Sequence, residues 1–158
     1  MMTSNHPTIA GAGETQSTMT RQQMLDFFKR REEAHEDLDA AALAADYAEH
    51  AVIESPSAGV HIGREAAERT FRVIFNAFLD LTTTLDNLVI DGNSAVRVLT
   101  LEGTHIGEFL GIPPTGKRFK MPAVFFYELE NGKIVRERRI YDFTGLLVQI
   151  GVLKAKPA

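Results

Sequence analysis

From Thr20 to Leu79 the apolar residues recur at spacings of three and four; beyond Asp80 they alternate. Thr20 is a suitable N-cap, and Gln23 stands at the capping-box position. Met24, Phe27 and Phe28, followed by Arg31, give the first helix one apolar stripe. A second short helix is expected after Asp39, from Ala40 to Tyr47. Val52 and Ile53 read as a short strand, broken by Ser55-Pro56-Ser57-Ala58-Gly59. From Gly63 to Leu79 the pattern is helical again, with Ala67, Phe71, Ile74, Phe75 and Phe78 on one buried face.

The later period of two predicts four strands. They run from Thr82 to Ile90, Ala95 to His105, Arg118 to Leu129, and Lys133 to Asp142. Asp91-Gly92-Asn93 is the first turn, and Asn131-Gly132 is a strong hairpin signal. A last short helix is expected from Gly145 to Ile150, stopped by Gly151. Helices followed by an antiparallel meander imply an α+β fold. A long sheet curling around one helical layer makes a cone-shaped barrel with a cavity at its open end.

Composition narrows the chemistry. The chain has 158 residues, enough for one domain with a real core. Residues 1–19 read as a Thr-, Ser- and Gly-rich disordered leader, and residues 20–158 as the single domain. With 17 Lys and Arg against 21 Asp and Glu, the net charge is −4, which argues against a nucleic-acid surface. Cysteine is absent, so thiolate nucleophiles, disulfides and Cys-held metals are excluded. His35, His50, His61 and His105 show no metal-ligand spacing, and no metal or organic cofactor is expected. No stretch approaches the roughly 20 apolar residues of a membrane span. A cytoplasmic location is the expectation. Ten Phe and no Trp suit a dry, apolar cavity.

Specific residues then point further. Gly103-Thr104-His105-Ile106-Gly107-Glu108-Phe109-Leu110-Gly111-Ile112-Pro113-Pro114-Thr115-Gly116-Lys117 is a distinctive loop. Asn131-Gly132-Lys133-Ile134, Tyr141-Asp142 and Leu146-Leu147-Val148-Gln149-Ile150-Gly151 follow it in order, and Ala77-Phe78-Leu79-Asp80-Leu81 precedes it. Together these resemble the SnoaL-like polyketide cyclases (ester cyclases) of the nuclear-transport-factor-like superfamily, from about Met24 to Leu153. The resemblance implies a homodimer or dimer-based oligomer. It also implies cofactor-independent aldol ring closure of a polyketide ester or related β-dicarbonyl. It places the acid/base at Asp142.

A partner for Asp142 follows from strand geometry. If Glu130-Asn131-Gly132 is a three-residue loop, Lys120 pairs with Asp142. His105 then lies at the same sheet end, one or two strand spacings of roughly 5 Å away. The resemblance also allows the second group at Glu128. The hairpin puts that residue roughly 26 Å from Asp142 along the strand, which favours His105. Arg138 shares the strand face of Asp142, and if that face lines the cavity it is placed to bind a substrate carbonyl or carboxylate. The resembled family often has Trp near Arg138, so the substrate here is expected to differ from the family's best-known one. Tyr47, Glu54, Phe75, Phe78, Phe109 and Met121 complete the expected substrate-binding set for a small apolar or polyketide-like ligand.

Simpler roles stand beside these. Asp142 also suits an N-cap of the last helix. His105 also suits a structural residue holding the Pro-Pro loop, and Arg138 a solvated strand residue or a dimer-interface ion pair. Glu54 also suits an exposed strand end. An epoxide hydrolase, an isomerase or a non-catalytic binding module on the same fold is the alternative reading.

Overall fold

The computed structural model describes residues 18–155. Helix α1 (Arg21–Glu36) opens with the expected capping box: the Thr20 side chain accepts from the Gln23 N–H, and the Gln23 side chain accepts from the Thr20 N–H. Its buried stripe is Met24, Phe27, Phe28, Arg31 and His35. Helix α2 (Ala40–Ala45) is capped by Asp39. Strand β1 (Tyr47–Ser55) begins where the helix was expected to continue, so Tyr47 is a strand residue. Strand β2 (Gly59–Ile62) returns antiparallel to it. Helix α3 (Arg64–Ala77) buries Ala67, Phe71 and Phe75 as the spacing predicts. Of the expected leader, residues 1–17 lie outside the described residues. Met19 is tied to the fold, its N–H donating to Asn93 Oδ1 at 2.9 Å.

Strands β3 (Thr82–Asp91), β4 (Ser94–Thr104), β5 (Arg118–Glu130) and β6 (Lys133–Tyr141) form the expected meander. β1 joins β6 in parallel, giving a six-stranded sheet in the order β2-β1-β6-β5-β4-β3. The fold is α+β, with the helices on one side of a curved sheet. The sheet has two free edges, β2 and β3, so it is an open curved sheet rather than a closed barrel.

Register corrects one expectation. The hairpin loop is the two residues Asn131-Gly132, both with positive φ (49° and 74°), and Glu130 pairs with Lys133. Next, Leu129 pairs with Ile134 but Glu128 pairs with Arg136. Val135 is thus an extra residue, a β-bulge that reverses the in–out alternation of the rest of the strand. Glu137 and Arg139 point inward and are buried; Arg136, Arg138 and Ile140 point outward. Ala123 pairs with Tyr141, so Pro122 rather than Lys120 lies beside Asp142.

The segment from His105 to Lys117 folds back over the end of α3. The N–H groups of Ile106 and Gly107 both donate to the Ala77 carbonyl at 3.0 Å. A Cβ on Gly107 would collide with the Asn76 carbonyl, so only glycine permits this approach. Helix α4 (Phe143–Gln149) lies against β5, where the Gln149 amide bonds both the N–H and the carbonyl of Lys120. A large core fills the space between the first three helices and the sheet. A smaller one, built on Phe78, Phe109, Phe119, Met121, Leu146 and Ile150, closes the other end.

Candidate functional site

Two adjoining chambers open between α3 and the inner face of the sheet. The inner one has a volume of ≈ 60 Å³ and is walled by Phe71, Phe75, Phe78, Phe109, Phe119, Met121 and Phe125. Its polar groups are His35, Thr83, Arg139 and Tyr141. The outer one, ≈ 150 Å³, is lined by Ser55, Ser57, His61, Arg69 and Thr70, among others. Arg139, Tyr141, Ile74 and Phe109 line both. Among the described residues no carboxylate lines either chamber.

Beneath the inner chamber lies a buried polar chain. Arg31 donates to the Leu43 carbonyl and Asp46 at 3.0 Å each, and to the Tyr47 hydroxyl at 3.2 Å. Tyr47 donates to Glu137 Oε2 at 2.5 Å, and Arg139 donates to the same oxygen at 3.0 Å. Burial alone would raise the Glu137 carboxyl, but Arg139, Arg31 and the Tyr47 hydroxyl outweigh it and hold the group below its ordinary range. Burial, then the Glu137 charge, push the Tyr47 hydroxyl up, so it stays a donor. Arg139 is 5% exposed; its Nε has no partner, and its guanidinium lies 4.8 Å over the Phe71 ring.

Among the described residues, His35 is the inner chamber's only imidazole. Burial, then Arg31, Arg97 and Arg139, drive its pKa well below 6.5, so it is neutral at neutral pH. Among the described residues neither ring nitrogen has a hydrogen-bond partner. The ring meets Phe71 edge-on at 5.8 Å and Phe75 at 6.2 Å. A neutral, unpartnered imidazole and a guanidinium thus share one apolar chamber.

Phe75, Phe78, Phe109 and Met121 come together on the inner wall. Asp142 does not join them. It is exposed and caps α4, its Oδ1 accepting from the Gly145 N–H at 2.8 Å. His105 is fully buried outside the chamber lining, its Nδ1 within 3.1 Å of the Thr115 hydroxyl and 3.3 Å of the Thr115 N–H. The two are not paired: His105 lies opposite Lys117 and Asp142 beside Pro122, about 17 Å apart along β5. Arg138 lies on the outer face, 3.7 Å from Glu54, which also meets Arg136 at 3.4 Å. The bulge at Val135 is the reason. Glu128 is likewise on the outer face, paired in register with Arg136. Tyr47 is buried below the chamber rather than lining it.

Sequence reasoning missed His35, Arg139, Tyr141 and His61. His35 had a signal, since it follows Arg31 by four on the α1 stripe and Phe28 by seven. Arg139 and Tyr141 had none, because alternation alone puts them on the wrong face.

Comparison with known proteins agrees with this architecture. The family model for SnoaL-like polyketide cyclase matches residues 18–150. The nogalonic acid methyl ester cyclase of Streptomyces nogalater is 32% identical over 108 residues, covering 67% of this chain and 78% of that one. The aklanonic acid methyl ester cyclase DnrD of Streptomyces peucetius is 36% identical over 53 residues, 34% of this chain and 37% of that one. The structure of TsrD from Streptomyces laurentii superposes with a TM-score of 0.75 at 27% identity, covering 85% of this chain and 99% of that one. The chain belongs to the SnoaL-like polyketide cyclase family.

Proposed function

We propose that the protein closes a ring in a polyketide-like β-dicarbonyl compound, with the reacting carbons in the inner chamber. The observation that carries this reading is the pairing of neutral His35 with Arg139 on one apolar chamber. His35 takes a proton from the carbon between two carbonyls. The electron pair moves onto oxygen, where the Arg139 guanidinium stabilises the enolate. The enolate carbon then attacks a second carbonyl of the same molecule, forming the carbon–carbon bond. The imidazolium returns its proton to the new alkoxide. Burial, then three nearby arginines, disfavour the imidazolium, which favours that return. The aromatic walls exclude water and hold a flat substrate. Relatives named as methyl ester cyclases support the reaction class.

This assignment moves the acid/base role from Asp142 and His105 to the chamber groups. The epoxide-hydrolase alternative finds little support, since no carboxylate among the described residues faces either chamber to activate water. The test is turnover of a panel of diketo compounds, carrying either a methyl ester or a free aryl carboxylate, by wild-type protein and His35→Leu. A large loss in the variant, with its fold intact by circular dichroism, is expected. Wild-type turnover by His35→Leu would remove His35 from the mechanism.

A further inference from the structure

The outer chamber is not needed for the chemistry just described, yet several donors stand in its largely apolar lining. Arg69, His61, Thr70 and Ser57 line it, and Arg139 forms the wall it shares with the inner chamber. The Nε2 of His61 is buried without a partner, as is the Nε of Arg139. Arg69 has one carboxylate within reach, Glu65, at 4.0 Å; the Glu65 side chain is 93% exposed and holds it weakly. Ser57 and Tyr141 share a hydrogen bond at 2.6 Å at the junction of the chambers. In a chain of net charge −4, the two chambers together carry two arginines, two histidines and, among the described residues, no carboxylate.

A donor set with no carboxylate in its lining, at the mouth of an apolar chamber, favours an oxyanion: Arg69, 69% exposed, supplies charge from the solvent side, and the half-buried His61 supplies a hydrogen bond. The inner chamber is also too small for a polycyclic molecule, so a larger substrate extends into the outer one. We infer that the outer chamber is a carboxylate subsite: the substrate is a flat apolar molecule bearing a free carboxylate, held by Arg69 and His61 while its reacting end lies beside His35. This specificity rests on the inner-chamber reading above.

The experiment is calorimetric titration of the full chain with two unreactive pairs, benzoate and methyl benzoate, 2-naphthoate and methyl 2-naphthoate. Wild-type protein is expected to bind at least one acid more tightly than its ester, with a preference that shrinks as ionic strength rises. Arg69→Gln and His61→Gln are each expected to cut the acid-over-ester ratio about five- to tenfold. Equal or tighter binding of both esters, or a ratio unchanged in both variants, would overturn the carboxylate subsite. Turnover of the diketo panel separates the two readings. Ring closure without acid preference leaves the chemistry and removes the subsite; acid preference without ring closure does the reverse.

Discussion

Tyr47 and Glu137, ninety positions apart in the chain, meet in a 2.5 Å hydrogen bond that fastens the start of β1 to the middle of β6. The same Glu137 oxygen receives Arg139, so one carboxylate orients the guanidinium that lines the inner chamber. Glu137→Gln leaves Arg139 and Arg31 buried with too little negative charge. It is expected to cost about 3–5 kcal/mol of stability, read from urea denaturation. A loss below 1 kcal/mol would show that the chain does not depend on this charge.

The same group sets an acid limit. Its folded-state pKa lies below the ordinary value of 4.5, so its contribution is present above that value and fades as pH falls through the folded pKa. His35 acts earlier. It is held neutral in the fold but takes a proton in the unfolded chain below 6.5, so stability falls as pH drops from there. His35→Leu is expected to flatten the denaturation midpoint between about pH 6.5 and pH 5 relative to wild type. An unchanged slope would mean that His35 is not buried neutral.

Turnover carries its own pH signature. A base with a depressed pKa stays ready through neutral pH, so kcat/KM is expected to hold level from pH 8 to below 6.5 and to fall only in more acidic solution. A fall centred at 6.5 would point to an ordinary, exposed histidine instead.

Asp142 offers a sharp contrast. Asn caps helices as well as Asp, so Asp142→Asn is expected to keep turnover and stability. Asp142→Ala is expected to cost about 1 kcal/mol of stability and to leave turnover in place. Loss of turnover in the stable Asn variant would return Asp142 to the mechanism.

Arg97 is fully buried, and among the described residues its guanidinium nitrogens lack hydrogen-bond partners; the Glu32 carboxylate lies 3.7 Å away. Such a cation contributes little net stability, so Arg97→Met is expected to be neutral or to raise stability by up to about 2 kcal/mol. Thermal unfolding decides it, and a marked drop in midpoint would reveal an interaction that the geometry does not show.

Most of the architecture was legible from residue patterns. Thr20 with Gln23, the Phe71-Phe75-Phe78 spacing and the Asn131-Gly132 turn each act locally, and each formed as its neighbours dictate. β2 was not legible: Gly59–Ile62 gains its structure only by pairing with β1. Phe71, Phe75 and Phe78 are buried on one side, as their spacing predicts, because helix period and burial agree. Arg139 and Tyr141 were missed because an inserted residue in a strand leaves no local trace. His105 and Asp142 caught attention as polar residues in distinctive motifs. Those motifs serve the docking of a loop and the start of a helix.

The bulge at Val135 makes β6 a strand that can be read in two frames. With the extra residue, Glu137 and Arg139 point into the core and Arg136 and Arg138 face out. Deleting one residue there would turn the strand over and exchange the two sets. Aligning this stretch with a relative that lacks the insertion would match residues on opposite sides of the sheet. One gap, correctly placed, therefore decides which side chains are compared when the chemistry of two such proteins is equated.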